Sequence, residues 1–178
     1  MATAVFGGGC FWCTEAVYDA LDGVESVEPG YMGGHKDNPS YEQVCDGQTG
    51  HIEVVRITYD SSKVSFETLL DVFFATHDPT TPNRQGNDVG PQYQSVIFYQ
   101  DADQEKLALA AIERLDESGG LPAPVCTQLS PAVRFWVAED YHHDYYERNP
   151  RQGYCQFVVA PKVKKFKEQF PERIKRSS

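Results

Sequence analysis

The chain has 178 residues, 40% of them apolar, enough for one domain with a substantial core; no apolar run is long enough to span a membrane. Its 26 acidic and 16 basic side chains leave a net charge of -10, which argues against a nucleic-acid-binding surface. The start, Met-Ala-Thr-Ala-Val-Phe, lacks the basic region and apolar stretch of a secretory signal, so a cytoplasmic protein is expected, with its five cysteines as thiols rather than staples.

Val5 and Phe6 read as the end of a short strand, followed by three glycines that let the backbone turn. Ala16, Val17, Ala20 and Leu21 then recur at helical spacing. Residues 23–34 are strand-like and end in a Gly-Gly turn, residues 38–50 form a polar loop, and Ile52–Tyr59 alternates as a strand. Phe66, Leu69, Leu70, Phe73 and Phe74 mark an amphipathic helix that begins behind Ser65 and stops before Asp78-Pro79. A loop at residues 77–94 has no regular period, and a loop of that length is usually functional or disordered. A strand at Ser95–Tyr99, a helix at Ala102–Ser118, a strand at residues 125–129 and a helix near residues 139–148 follow. Residues 149–161 read as an irregular wrap and the basic residues from Lys162 to Arg176 as a solvated helix. The alternation predicts an α/β or α+β class with one sheet, residues 1–178 forming a single catalytic domain.

Chemistry concentrates in Gly-Gly-Gly-Cys-Phe-Trp-Cys-Thr-Glu at residues 7–15. Cys10 falls where the glycine turn meets the first turn of a helix, a place for a reactive thiolate. A helix terminus contributes only about 0.3 to 1 kcal/mol, less than one pKa unit, so a further donor or the substrate's dipole has to assist. Cys10 and Cys13 could be a dithiol pair or two small buried residues. A metal site would need two more ligands, and the adjacent His142 and His143 cannot face one ion from a helix, so none is expected. Phe11 and Trp12 could form an apolar pocket for a methyl or methylthio group. Glu53 is either a solvated edge residue or, if buried beside Cys10, a neutral proton donor, since an ionised carboxylate there would oppose the thiolate. Tyr41 and Tyr93 could hydrogen-bond a polar oxygen, Asp88 either orients substrate or caps a turn, and Cys155 sits where a flexible segment could reach an oxidised Cys10. Cys45 and Cys126 read as ordinary small buried residues.

Together these residues resemble the A-type peptide methionine sulfoxide reductases. The resemblance runs from Gly9-Cys10-Phe11-Trp12 through Pro29-Gly30-Tyr31, Gly33-Gly34 and Tyr41-Glu42-Gln43-Val44-Cys45 to Thr49-Gly50-His51-Ile52-Glu53. It continues through His77-Asp78-Pro79, Arg84-Gln85-Gly86-Asn87-Asp88, Gln92-Tyr93, Glu139-Asp140-Tyr141-His142 and Asn149-Pro150. It implies a two-layer sandwich with a ferredoxin-like mixed sheet, and thiol-dependent reduction of methionine S-sulfoxide, free or in proteins, without a cofactor. In that scheme Cys10 is the nucleophile, Glu53 the acid, Tyr41 and Tyr93 the partners of the sulfoxide oxygen, Phe11 and Trp12 the seat of the ε-methyl, and Asp88 an anchor. A sulfenic acid at Cys10 would condense with a second thiol to a disulfide, reduced by thioredoxin. Cys155 matches the family's C-terminal resolving site, while Cys13 stands where many members carry a small residue, and both are candidates. A monomer is expected. The rival readings are a thioredoxin-like dithiol oxidoreductase, which normally has a longer βαβ stretch before its Cys-x-x-Cys, and a module that binds oxidised methionine without turnover.

Overall fold

The computed structural model describes residues 1–175; Arg176, the last residue of the expected basic helix, lies outside them. In chain order the elements are β1 (Ala2–Gly8), α1 (Phe11–Asp19), β2 (Val24–Met32), α2 (Tyr41–Cys45), β3 (Ile52–Tyr59), α3 (Phe66–Thr76), β4 (Arg84–Gln85), β5 (Asp88–Val89), β6 (Ser95–Tyr99), α4 (Ala102–Ser118), β7 (Gln128–Pro131), β8 (Trp136–Val137), α5 (Tyr145–Arg148) and α6 (Ala160–Gln169). Six strands form one mixed sheet in the order β7-β6-β1-β3-β2-β8, in which only the β6–β7 pair is parallel. Its centre, β6-β1-β3-β2 with α1 and α3 as the crossovers, is the ferredoxin-like βαββαβ arrangement expected for the class. Among the described residues no helix is long and apolar enough to cross a membrane.

The period-2 alternation of β1 and β3 sorts their side chains between two apolar clusters. Ala4, Phe6, Val55 and Ile57 join α1, α3 and α6 in the larger one. There the Phe6 ring is 5.8 Å from Tyr18, 5.8 Å from Phe66 and 5.0 Å from Phe73. Val5, Ile52 and Val54 face the other way, with Met32, Val96 and Phe98. Phe135 packs onto that second face so tightly that a Cβ at Gly30 would lie 2.3 Å from its ring. Because both faces are covered there, the first four residues of β3, Ile52 to Val55, are all buried, and Glu53 falls on the same face as Val55 and Ile57.

Local chemistry explains most boundaries. Ser65 accepts from the Thr68 amide at 3.1 Å and starts α3, Asp101 accepts from Gln104 at 2.8 Å and starts α4, and Gly119 at φ 69° ends α4. Several boundaries differ from expectation. The strand expected at residues 125–129 runs over Gln128–Pro131 as β7. The polar loop at residues 38–50 contains α2, opened by a capping box in which Ser40 Oγ accepts from Gln43 N at 3.2 Å and Gln43 Oε1 accepts from Ser40 N at 2.9 Å. The loop at 77–94 holds the β4–β5 hairpin and a 3-10 turn, Pro91–Tyr93. The helix expected near 139–148 is interrupted, since Asp144 sits at φ 54° and separates a 3-10 turn, Asp140–His142, from α5. The irregular wrap is short, because Gly153 onward is helical and a π-helical turn, Cys155–Val159, leads into α6.

Candidate active site

The turn from β1 into α1 fixes the position of Cys10, the expected nucleophile. Gly9 has φ 94°, and a Cβ there would meet the Gln85 side chain at 2.7 Å. Cys10 follows as the N-cap of α1, so its sulfur lies at the end of the helix where free amides collect. Two of those amides are engaged. The Trp12 amide acts on the Cys10 sulfur, and the Phe11 amide donates to Glu53 Oε1 at 3.1 Å. One helical turn therefore carries the thiol and holds the carboxyl.

Glu53 is 1% exposed, and its Oε2 is buried with no hydrogen-bond partner among the described residues. Burial outweighs the Phe11 amide and pushes the carboxyl up from 4.5 to about 8, so it is protonated at neutral pH. The edge-residue alternative is thereby excluded. The thiolate expectation needs correction too. Cys10 is only 5% exposed, and burial, then Glu53 and Cys13, raise it well above 9.0, against the amide of Trp12 and the hydroxyl of Tyr154. At rest it is a thiol. Cys45 is exposed and Cys126 half-buried, so neither is the buried residue expected of it.

Around this pair lies a set of aromatic residues. Phe11, fully buried, packs against Tyr31 at 5.7 Å, Tyr41 at 6.2 Å and His142 at 4.9 Å. Tyr41 and Tyr93 are half-buried, and burial followed by the Glu53 charge raises both phenols, which keeps them protonated donors near the carboxyl. Glu139 clamps the Tyr41 side of the site by accepting from the Tyr31 hydroxyl and the Tyr41 amide, each at 2.9 Å. Trp12 donates its indole N–H to His142 Nδ1 at 2.9 Å and stacks on Tyr145, with centroids 3.8 Å apart and planes within 5°. Burial lowers His142 to about 4, so the ring is neutral; the indole bond puts its proton on Nε2, which has no partner among the described residues.

Asp88 accepts from the Tyr154 hydroxyl at 2.5 Å, and the same hydroxyl is 3.8 Å from Cys13 Sγ. Cys13, at the third helical position of α1, donates its amide to the Cys10 carbonyl at 3.1 Å and is buried. Cys155 is fully buried in the π-helical turn, its amide donating to Gln152 Oε1 at 3.0 Å. Cys10, Glu53, Tyr41, Tyr93, Trp12, Asp88 and Cys13 thus gather at one end of α1, with Phe11 in the packing behind. The roles of Tyr154, His142 and Glu139 were not read from sequence. Each partner lies 66 to 141 residues away in the chain, too far for any local pattern to reveal.

The sequence profile described as "Peptide methionine sulfoxide reductase" matches residues 2–174. A protein of Saccharolobus solfataricus, "Peptide methionine sulfoxide reductase MsrA", is 53% identical over 175 residues, covering 98% of each chain. "Peptide methionine sulfoxide reductase MsrA 1" of Rhodopirellula baltica is 55% identical over 174 residues, 98% of this chain and 90% of that one. Reduced Mxr1 of Saccharomyces cerevisiae superposes with a TM-score of 0.81 at 34% identity, over 86% of this chain and 88% of that one. With the motif, the fold and these likenesses in agreement across nearly its full length, the chain belongs to the peptide methionine sulfoxide reductase family.

Proposed function

We propose that this enzyme reduces methionine S-sulfoxide, free or in oxidised proteins, to methionine, with Cys10 as nucleophile and Glu53 as proton donor, in one catalytic domain acting in the cytoplasm. The Cys10 sulfur attacks the sulfoxide sulfur while Glu53 hands its proton to the oxygen, and the thiol proton of Cys10 refills the carboxyl. The S–S bond so formed is transient: as it and the substrate's S–O bond break, the oxygen passes with its proton to the Cys10 sulfur, methionine leaves, and Cys10 is left as a sulfenic acid. One sulfur is oxidised and the other reduced, with no net proton change. Tyr41 and Tyr93 donate hydrogen bonds to the oxygen as charge develops on it. Trp12, backed by Phe11, takes the methyl, and Asp88 anchors the remainder of the substrate. What supports this reading above all is the buried Glu53 carboxyl, held neutral and bonded to the turn that carries the thiol.

A second thiol then condenses with the sulfenic acid, releasing the oxygen as water and leaving a disulfide that an external dithiol reduces. Cys13 is the nearer candidate, because an N-cap and a third helical position share one turn and need little backbone movement to meet the geometry of a disulfide. Cys155, fully buried in the π-helical turn, requires that turn to open before it can take part. The reductant is thioredoxin, as the family resemblance implies; the yeast Mxr1 protein is also described in complex with Trx2, and the matched chain of that complex, 22% identical to this one, carries a likeness of fold alone.

The test is turnover of free and peptide-bound methionine sulfoxide with dithiothreitol as reductant. Cys10→Ser should abolish turnover, and insulin reduction should be negligible. Full activity in Cys10→Ser, or insulin reduction without sulfoxide turnover, would defeat the assignment.

A further inference from the structure

Glu15 belongs to the sequence run of the active site but touches neither Cys10 nor Glu53 in any contact described above. It is 3% exposed, and its Oε2 accepts from the Asp144 amide at 3.0 Å. The Tyr145 amide acts on the same carboxyl. Those two amides open α5, a helix whose N-cap residue, Asp144, sits at φ 54° and gives no side-chain cap of its own. A short helix with uncapped amides needs an outside acceptor, and α1 supplies it.

What the carboxyl fixes is the ring of the next residue. Tyr145 stacks on Trp12 with centroids 3.8 Å apart and planes within 5°. Trp12 and Glu15 are three residues apart on α1 and so share one face of it, which lets a single helix offer both the indole and the anchor for the ring stacked upon it. We infer that Glu15 is a positioning residue: by holding the backbone at Asp144 and Tyr145, it sets the ring that keeps Trp12 in place as the wall for the substrate methyl. This rests on the reading of Trp12 as that wall. A carboxyl buried so deeply is costly to ionise, and burial, against the Asp144 amide, pushes it up to about 7. The hydrogen bonds it accepts are therefore the reason for its presence at this place, and an amide side chain of the same length can accept the bond from Asp144.

Steady-state kinetics with methionine sulfoxide and dithiothreitol provide the test, with Trp12 fluorescence read in a Trp136→Phe background. Glu15→Ala should raise KM about 3- to 10-fold, the range expected for loss of one aromatic pair, with kcat within about two-fold of wild type. The Trp12 emission should shift, and Glu15→Gln should restore both KM and emission. Tyr145→Ala should reproduce the rise in KM, and adding Glu15→Ala to it should change nothing further. If the alanine variant folds poorly, Glu15→Asp, one methylene shorter, serves in its place. A wild-type KM in Glu15→Ala or Glu15→Asp, or additive effects with Tyr145→Ala, overturns the inference. Trp12→Ala separates the two readings: if it also leaves KM unchanged, the wall itself is refuted, whereas a raised KM there with a wild-type KM at position 15 refutes the role of Glu15 alone.

Discussion

Glu53→Gln should damage catalysis and at the same time stabilise the folded protein at alkaline pH. The folded carboxyl has been pushed up from 4.5 to about 8, so the folded chain holds this proton more tightly than the unfolded chain does. The stabilisation from that proton is fully present below pH 4.5, declines as pH rises, and is lost above about 8. At about 1.36 kcal/mol per pH unit, the interval between the two values amounts to roughly 5 kcal/mol. Glutamine has no proton to lose, and its carbonyl can still accept from the Phe11 amide. Urea unfolding of both proteins at pH 5, 7 and 9 should show the variant gaining on the wild type by roughly 4 kcal/mol across the series. Titrating groups that do not feel Glu53, Glu15 among them, cancel in the difference. In the same preparations, turnover by the variant should fall about 10²- to 10⁴-fold, the usual worth of a general acid, while wild-type turnover declines as pH rises through about 8. A stability difference that does not change with pH would mean that Glu53 is ionised in the folded protein, and the proton-donor argument would fail with it.

Other changes test the same structure. Glu15→Gln should show a smaller version of the stability effect, about 3 kcal/mol gained between pH 4.5 and 7, since that carboxyl is pushed up only to about 7; denaturant midpoints across that window read it. Phe6→Ala removes the ring at the centre of the larger apolar cluster and should cost about 3 to 5 kcal/mol by urea unfolding with little change in the KM of the folded fraction. For the resolving thiol, Cys13→Ser should lose turnover with thioredoxin while keeping a single turnover of substrate, and peptide mapping of substrate-oxidised wild type should find Cys10 linked to Cys13. A Cys10–Cys155 link in wild type, with Cys13→Ser fully active, would assign the first resolving step to Cys155.

The sequence carried the fold well where local rules dominate. Ser65 and Asp101 announce their helices by side-chain caps, and the alternation of Ile52–Tyr59 gives β3 outright. The same strand shows where local rules stop. Alternation puts Glu53 on the face of Val55 and Ile57, but since both faces of β3 are buried, the pattern cannot say which of them lies beneath α1. The α2 helix was legible in principle, because Ser40 followed three residues later by Gln43 is a capping-box signature; the surrounding polar and glycine residues masked it. Asp144 illustrates the opposite case. Nothing local requires an aspartate to adopt φ 54°, and the carboxyl that holds its amide lies 129 residues away.

The resting state of Cys10 follows from comparing two effects that the sequence presents as rivals. The N-terminus of α1 favours a thiolate by at most about 1 kcal/mol, whereas burying an unpaired charge costs several. Burial wins, so the first turn of α1 acts less by ionising the thiol than by placing it: the Trp12 amide acts on the sulfur and the Phe11 amide holds the Glu53 carboxyl, the proposed proton donor. Two neutral acids side by side repel each other far less than a thiolate and a carboxylate would, which permits both to be buried against Phe11 and Tyr41. The charge separation that the reaction needs is then created only with the substrate in place. In the proposed mechanism its sulfoxide oxygen accepts the Glu53 proton, and the carboxylate so formed is the base that relieves Cys10 of its own. Ionisation of the sulfur is thereby tied to the arrival of the sulfur it attacks, and the burial that opposes a free thiolate is the same feature that keeps Glu53 charged with a proton to give.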